Sequence, residues 1–159
     1  MYSRTGTTRA AARWAAAALL RAGVRVERGD IRPAVDLPYP LWLALSFVPG
    51  CRVPLADAPA PRPEHGVCIL ALPKWTFACP PANAFLARHG ARLPPTAVLV
   101  TCGGWDQDRY LRRLQDRLRR TGVRVLGGLA VRRRHVEDGS ARPAVDRFVL
   151  EARARAGSG

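Results

Sequence analysis

Val67-Cys68-Ile69-Leu70-Ala71-Leu72 is an unbroken apolar run between Gly66 and Pro73. A strand with one wet face alternates apolar and polar residues; an unbroken run of this length is how a strand buried on both faces reads. Ala97-Val98-Leu99-Val100 repeats the pattern downstream. Between the two, Pro80-Pro81 sits where a helix starts, Phe85 and Leu86 supply its packing face, and Gly90 stops it. After the second run, Asp106 and Asp108 open a further helix, with Arg117, Arg119 and Arg120 in its last turn. Acids at the first turn and cations at the last both suit the helix dipole. Leu111, Leu114 and Leu118 form its buried stripe, and Gly122 ends it. Val123-Arg124-Val125-Leu126 begins another strand, and residues 143–155 form a closing helix. Strands alternating with helices mean a parallel sheet covered on both faces.

Toward the N-terminus, Thr7 or Thr8 caps a helix running to about Ala22, with Gly23 as its stop. Ala11, Trp14, Ala15, Ala18 and Leu19 recur at helical spacing and face a core. Val24-Arg25-Val26-Glu27 alternates as a short strand. Asp30–Pro40 is a loop with three prolines. Tyr39–Gly50, apolar and aromatic, is a short helix ended by Pro49-Gly50. Cys51–Pro63 holds four prolines and reads as an extended linker. A single domain over residues 1–155 follows, with 156–159 as a disordered tail.

The chain has 159 residues and a formal net charge of +14, which would ordinarily raise nucleic acid as a partner. Lys74 is the only lysine, however, and the Arg skew follows GC-rich codon usage, so the charge is discounted as a nucleic-acid signal. Its distribution is more informative. Residues 109–134 hold ten Arg against Asp116 alone. That is either a solvated helix face or a docking face for an acidic partner.

Cys51, Cys68, Cys79 and Cys102 show no C-x-x-C spacing, which argues against zinc and thioredoxin-type chemistry. His65, His89 and His135 are scattered and form neither a catalytic nor a metal set. The N-terminal Arg4, Arg9 and Arg13 around an apolar run imitate a targeting peptide, but the same residues complete the downstream pattern. Leu41–Val48 is too short to span a bilayer, and a cytoplasmic location is expected.

In sheets of this kind ligands bind beyond the carboxyl ends of the strands. Three loops fall at that edge. Ser3-Arg4-Thr5-Gly6-Thr7-Thr8 offers hydroxyls and helix N-terminal N–H groups, which suit a phosphate. Pro73-Lys74-Trp75-Thr76-Phe77 and Thr101-Cys102-Gly103-Gly104-Trp105 offer aromatics beside proline or glycine, which suit a flat heteroaromatic ring. Phosphate at one end and a planar ring at the other describe a mononucleotide. Each piece also has a plain structural reading. The first loop is a helix cap, Trp75 a core or interface anchor, Trp105 a packing residue for the following helix, and Cys102 an inert thiol.

With these three loops in order, the sequence resembles the flavodoxin-like family over roughly residues 2–131. The first loop matches the family's S/T-x-T-G-x-T phosphate motif. Leu70–Trp75 looks like its second flavin loop and Thr101–Gly104 like its third. The resemblance implies a three-layer α/β sandwich with a parallel sheet in the order 2-1-3-4-5, the first strand here largely absent. It implies FMN, with Ser3, Thr5, Gly6, Thr7 and Thr8 holding the 5′-phosphate and Arg4 in the same loop. Trp75 and Trp105 would flank the isoalloxazine, and backbone groups of Lys74–Thr76 and Cys102–Gly104 would meet its polar edge. Pro73, Phe77 and Thr101 complete the set. The implied role is electron transfer, or flavin-dependent reduction of a small acceptor such as a quinone, with a redox partner protein or NAD(P)H as partner.

The chain departs from the family in three ways. Only Met1-Tyr2 stand where a central strand is expected, and our expectation is that upstream codons behind a non-AUG start supply a Val/Ile/Leu-rich segment; an in-frame stop just before Met1 in the genome would refute it. The charge is basic where carrier flavodoxins are acidic. The helix expected between the second and third strands is replaced by Tyr39–Pro63, which serves as a lid, an apolar substrate surface or packing filler. The rival expectation is a flavin-free interaction module using the basic face of Asp106–Thr121 and Arg132–Arg134.

Overall fold

The structure, a computed structural model, describes residues 1–3, 6–56, 61–62 and 66–158. Its centre is a three-stranded, all-parallel sheet of β1 (Cys68–Pro73), β2 (Thr96–Cys102) and β3 (Val125–Arg132), in the order β1-β2-β3. Leu72 faces Val100 across the first pair and Leu99 faces Leu129 across the second. Both apolar runs of the sequence are therefore strands, and β2, between two neighbours, is buried along its whole length. β3 is longer than its opening Val-Arg-Val-Leu pattern announces. It carries Gly127-Gly128 through the ladder, beside a register shift opposite Thr96/Ala97.

The helices are α1 (Thr7–Arg21), α2 (Tyr39–Ser46), α3 (Pro80–His89), α4 (Gln107–Arg120), α5 (Arg133–Glu137) and α6 (Arg142–Gly157). Strand side chains alternate between the sheet's faces, so each strand feeds two cores. Leu70, Leu72, Val98 and Val100 pack with Phe85 and Leu86 of α3 and Leu114 and Leu118 of α4. Ala71 and Leu99 pack on the opposite face with Ala11, Ala15, Ala18 and Leu19 of α1 and Val145 and Val149 of α6. Helix α1 meets the sheet through alanines, which lets its backbone approach closely. The apolar burial on both faces, at roughly 25 cal/mol per Å², is the main force holding the three layers together.

Three expectations are revised. Val24–Glu27 is extended chain but not a ladder strand. Val24 and Val26 still pack on the α1–α6 side, so the alternation reports burial without strand pairing. The closing helix runs through Gly157, because Ala156 packs on Ala97, Leu126 and Ala152, and the expected tail is shorter. Leu111 is only partly buried, leaving Leu114 and Leu118 as the inner stripe of α4.

The first residues lie beside β1. Tyr2 N–H donates to Ala71 O at 3.2 Å, Ile31 N–H donates to Met1 O at 2.6 Å, and the Met1 ammonium bonds Gly29 O. Next to them a cavity of about 1490 Å³ opens between α1, residues 24–30, Val67 and Ile69 of the sheet edge, and the end of α6. Among the described residues no helix is long and apolar enough to cross a membrane.

Candidate functional site

The C-terminal ends of β1 and β2 and the N-terminus of α1 converge on one edge, and Thr101 joins them. Its hydroxyl shares a buried 2.6 Å hydrogen bond with Thr8 Oγ1 in the first turn of α1. Its carbonyl accepts from Lys74 N–H at 2.7 Å. One residue at the end of β2 thus fixes the first loop through its side chain and the second through its backbone.

In the first loop, Gly6 has φ 85°, a left-handed conformation that glycine adopts without steric cost, and Thr7 begins the helix. Helix α1 has no side-chain N-cap and no acid in its first turn. Its first-turn N–H groups therefore have no acceptor within the helix, and the positive end of the helix dipole is not offset. Ser3 Oγ is buried and has no hydrogen-bond partner among the described residues. A buried hydroxyl left unpaired costs about 1–3 kcal/mol. Arg4 and Thr5, both assigned to this loop from the sequence, lie outside the described residues.

In the second loop, Pro73 ends β1 and Trp75 turns toward the core. The Trp75 ring lies edge-on to Tyr2 at 5.6 Å and to Trp42 at 5.7 Å. Trp42, only 1% exposed, anchors α2 over this loop. Ser46 at the end of α2 accepts from the backbone N–H groups of Phe77 and Ala78, and its Oγ lies 3.1 Å from Thr76 Oγ1. The aromatic segment Tyr39–Ser46 therefore braces the second loop from outside. Trp75 takes part in that brace, in line with its plain reading as an anchor. Phe77, by contrast, is exposed and edge-on to both Phe47 and Trp105.

In the third loop, Cys102 Sγ lies 3.2 Å from Gln107 Oε1 and 3.5 Å from Val131 O. Burial raises its thiol pKa, a shift opposed by the Gly104 N–H, Lys74 and Arg132. Cys102 is therefore not a poised nucleophile. Gly104, at φ 113°, turns the chain outward, and a Cβ there would sit 3.6 Å from the Arg132 guanidinium nitrogen Nε. Trp105 is exposed, with Lys74 Nζ 4.7 Å from its ring centroid. Gly103 is exposed in the same turn.

The three predicted loops thus meet at one edge, with Lys74 and Arg132 as the cations over it. The sequence names Arg132 only within the basic face Arg132–Arg134 and Tyr2 only as a remnant of a strand, and it does not single out Ser46 or Trp42. Arg132 could have been found from its place at the carboxyl end of a strand; the others are visible only once α2 is seen lying on the second loop. Among the described residues no cluster of His, Cys, Asp or Glu could hold a metal ion.

The chain is 35% identical over 113 residues to an uncharacterized protein of Archaeoglobus fulgidus, a match covering 71% of this chain and 73% of the relative. No family model and no solved structure matches.

Proposed function

We propose that this chain, which belongs to the same family as the Archaeoglobus fulgidus protein, is a flavodoxin-like FMN-binding redox protein. The carrying observation is Ser3 Oγ, buried with no hydrogen-bond partner among the described residues, in the stretch that leads into α1, whose first turn Thr8 and Thr101 hold against the end of β2. The lateral order supports the reading. Gly29 and Ile31 bond Met1 and Tyr2 bonds Ala71, so residues 1–2 lie between residues 29–31 and β1, where the proposed order would put its central strand. Helices α1 and α6 cover one face and α3 and α4 the other, so the winding changes face beside β1. Ligands of doubly wound sheets bind at such a point.

In this reading Ser3, Thr7 and the first-turn N–H groups of α1, that of Thr8 among them, hold the phosphate, the Thr8 hydroxyl stays on Thr101, and the helix dipole favours the phosphate's charge. FMN, when bound, supplies reversible electron and hydride transfer. Lys74 and Arg132 oppose the negative charge that reduction brings to the site, and backbone groups of Lys74–Thr76 and Cys102–Gly104 orient the polar edge of the ring. Trp105 supplies an apolar flank, while Trp75 keeps the second loop in place. The acceptor is a redox protein or a small molecule such as a quinone. Rapid bleaching by NADPH without a partner protein would mark a reductase; no bleaching would mark a carrier.

Titration of FMN fluorescence tests the reading. Saturable quenching is expected, with riboflavin binding about tenfold or more weakly because it lacks the phosphate. A colourless protein that leaves FMN fluorescence unchanged would refute it. That result would favour the second reading, an interaction module, for which the observation is that exposed Arg109, Arg112, Arg113 and Arg120 have no ion pair among the described residues.

A further inference from the structure

Outside the phosphate loop, a second concavity of about 460 Å³ is lined by Phe77, Trp105, Asp106, Arg109 and Arg113. Phe77 and Trp105 are 52% and 63% exposed, far more than large aromatic side chains without a partner ordinarily are. Their rings stand at 78° with centroids 6.3 Å apart, forming two walls of a corner. Asp106 lines the corner. It sits at φ 47°, the one non-glycine residue with positive φ among those described, and directs the chain from the Trp105 turn into α4. Arg109 and Arg113 are one helical turn apart on α4 and face the same concavity. Neither makes an ion pair or a hydrogen bond among the described residues.

We infer that this corner is a binding site for a planar aromatic anion, a ligand with a ring system of two or three rings and a carboxylate or sulfonate. The ring stacks in the Phe77–Trp105 corner, where an offset or edge-on contact suits the ring quadrupoles. The anionic group meets Arg109 and Arg113, whose planar forks bind carboxylates with two parallel hydrogen bonds. The charge balance favours an anion. Lys74 lies over Trp105, so three cations stand against the single carboxylate of Asp106. The volume falls within the range that small-molecule sites occupy. The inference goes beyond the nucleotide reading: Phe77, Trp105 and Lys74 serve both, but the anion is met by Arg109 and Arg113, which that reading does not use.

The test is a titration of the protein without added flavin by 2-naphthoate, its neutral methyl ester and cyclohexanecarboxylate, followed by the indole Nε1–H resonances. Trp105→Phe assigns the Trp105 signal. The expected result is a saturable shift of that signal by 2-naphthoate, with the ester and the non-planar acid each binding about tenfold more weakly. Arg109→Gln/Arg113→Gln should abolish the preference for the acid over the ester, whereas Arg153→Gln, on the far cavity, should leave it intact. Equal binding of acid and ester, or equal loss in the Arg153 variant, would overturn the inference. FMN titration of the Arg109→Gln/Arg113→Gln variant reads the nucleotide site, which uses neither arginine, so failure of one does not pass for failure of the other.

Discussion

Thr8 Oγ1 and Thr101 Oγ1 lie 2.6 Å apart in the interior and share one hydrogen bond across 93 residues of chain. Both side chains are almost fully buried, so neither hydroxyl can turn to water when the other is removed. Thr101→Val should therefore destabilise the protein by about 1–3 kcal/mol, the cost of one buried hydroxyl left unpaired. Thr8→Val should cost a similar amount. The double variant should recover much of the loss, because two apolar groups of the same shape then meet. Urea unfolding of the four proteins measures the coupling, and strict additivity would show that the bond does not hold the first loop to β2.

Ser3 is expected to respond with opposite signs in two assays. Its Oγ is buried without a partner among the described residues, so Ser3→Ala should raise the stability of the ligand-free protein by up to about 1 kcal/mol. In the proposed function the same change removes a phosphate contact and should weaken FMN about tenfold. Thermal unfolding without FMN and fluorescence titration with it provide the two measurements. A loss of stability together with unchanged FMN affinity would make Ser3 an ordinary packing residue.

The parallel sheet was legible because β1 and β2 are buried on both faces, which leaves short unbroken apolar runs rich in Val, Ile and Leu. Helices α3 and α4 were legible from Pro80-Pro81, Gly90, Asp108 and the Leu114/Leu118 stripe. Val24-Arg25-Val26 misled because a period of two records which side chains are buried, and strand pairing needs a neighbour that composition does not show. The Val-Arg-Val-Leu pattern marks where β3 begins and not how far it runs, because Gly127-Gly128 have no strand propensity; their place in the ladder is set by tertiary packing. The three candidate loops were legible as strand ends, but the clasp between Thr8 and Thr101 and the brace of Trp42 on Trp75 depend on contacts between distant segments. No local pattern encodes those.

Gly128 lets α4 settle onto β3. A Cβ at this position would stand 2.8 Å from a Leu111 methyl and 2.9 Å from Gln115 Nε2. Both are ends of flexible side chains, so Gly128→Ala should be accommodated at about 1–2 kcal/mol by a shift of α4 side chains. Gly128→Val should cost more, about 3 kcal/mol, because a branched group cannot be cleared by rotamer changes alone. Chemical denaturation gives both values. A stabilising Gly128→Ala, the usual outcome for an unconstrained strand glycine, would mean the helix does not sit this close.

Stability should fall at both ends of the pH range, for identifiable reasons. Burial pushes the Cys79 thiol up to about 12 from its ordinary 9.0, so the folded state keeps a proton that the unfolded chain releases. That contribution is complete below about pH 9 and is lost as pH rises toward 12. Cys68, pushed up to about 11, acts in the same direction. At the acid end, burial and the neighbouring Arg88 and Arg92 lower the His89 pKa below 6.5, so the unfolded chain takes up the proton first and stability drops as pH falls through that range. Cys79→Ala should flatten the alkaline limb and leave the acid limb alone. His89→Phe, placed against Phe85 at a ring distance of 5.1 Å in the parent, should flatten the acid limb alone. Melting temperatures across pH 5–11 decide it, and identical profiles for both variants and parent would refute both assignments.

The cavity beside Met1 should accept an added strand. Its walls are Ala12, Ala15, Ala16 and Leu19 of α1, Val24 and Val26 of the extended segment, and Val67 and Ile69 at the sheet edge. Charged side chains line it as well, among them Arg9, Arg13, Glu27 and Asp30, and Met1 and Tyr2 already bond chain on both sides. An extension of about five β-branched residues fused before Met1 would continue along β1 at strand spacing and bury its side chains against α1. Burial contributes about 1.5–3 kcal/mol per large apolar side chain, while ordering costs about 1–2 kcal/mol per residue. The net gain should be a few kcal/mol, about 4 °C or more in melting temperature. It should also remove the Met1 ammonium, whose pKa burial lowers. An extension of equal length made of glycine and proline is the control, since it can neither fill the cavity nor complete a ladder. Equal melting temperatures for the two extensions would show that the cavity is not shaped for a strand.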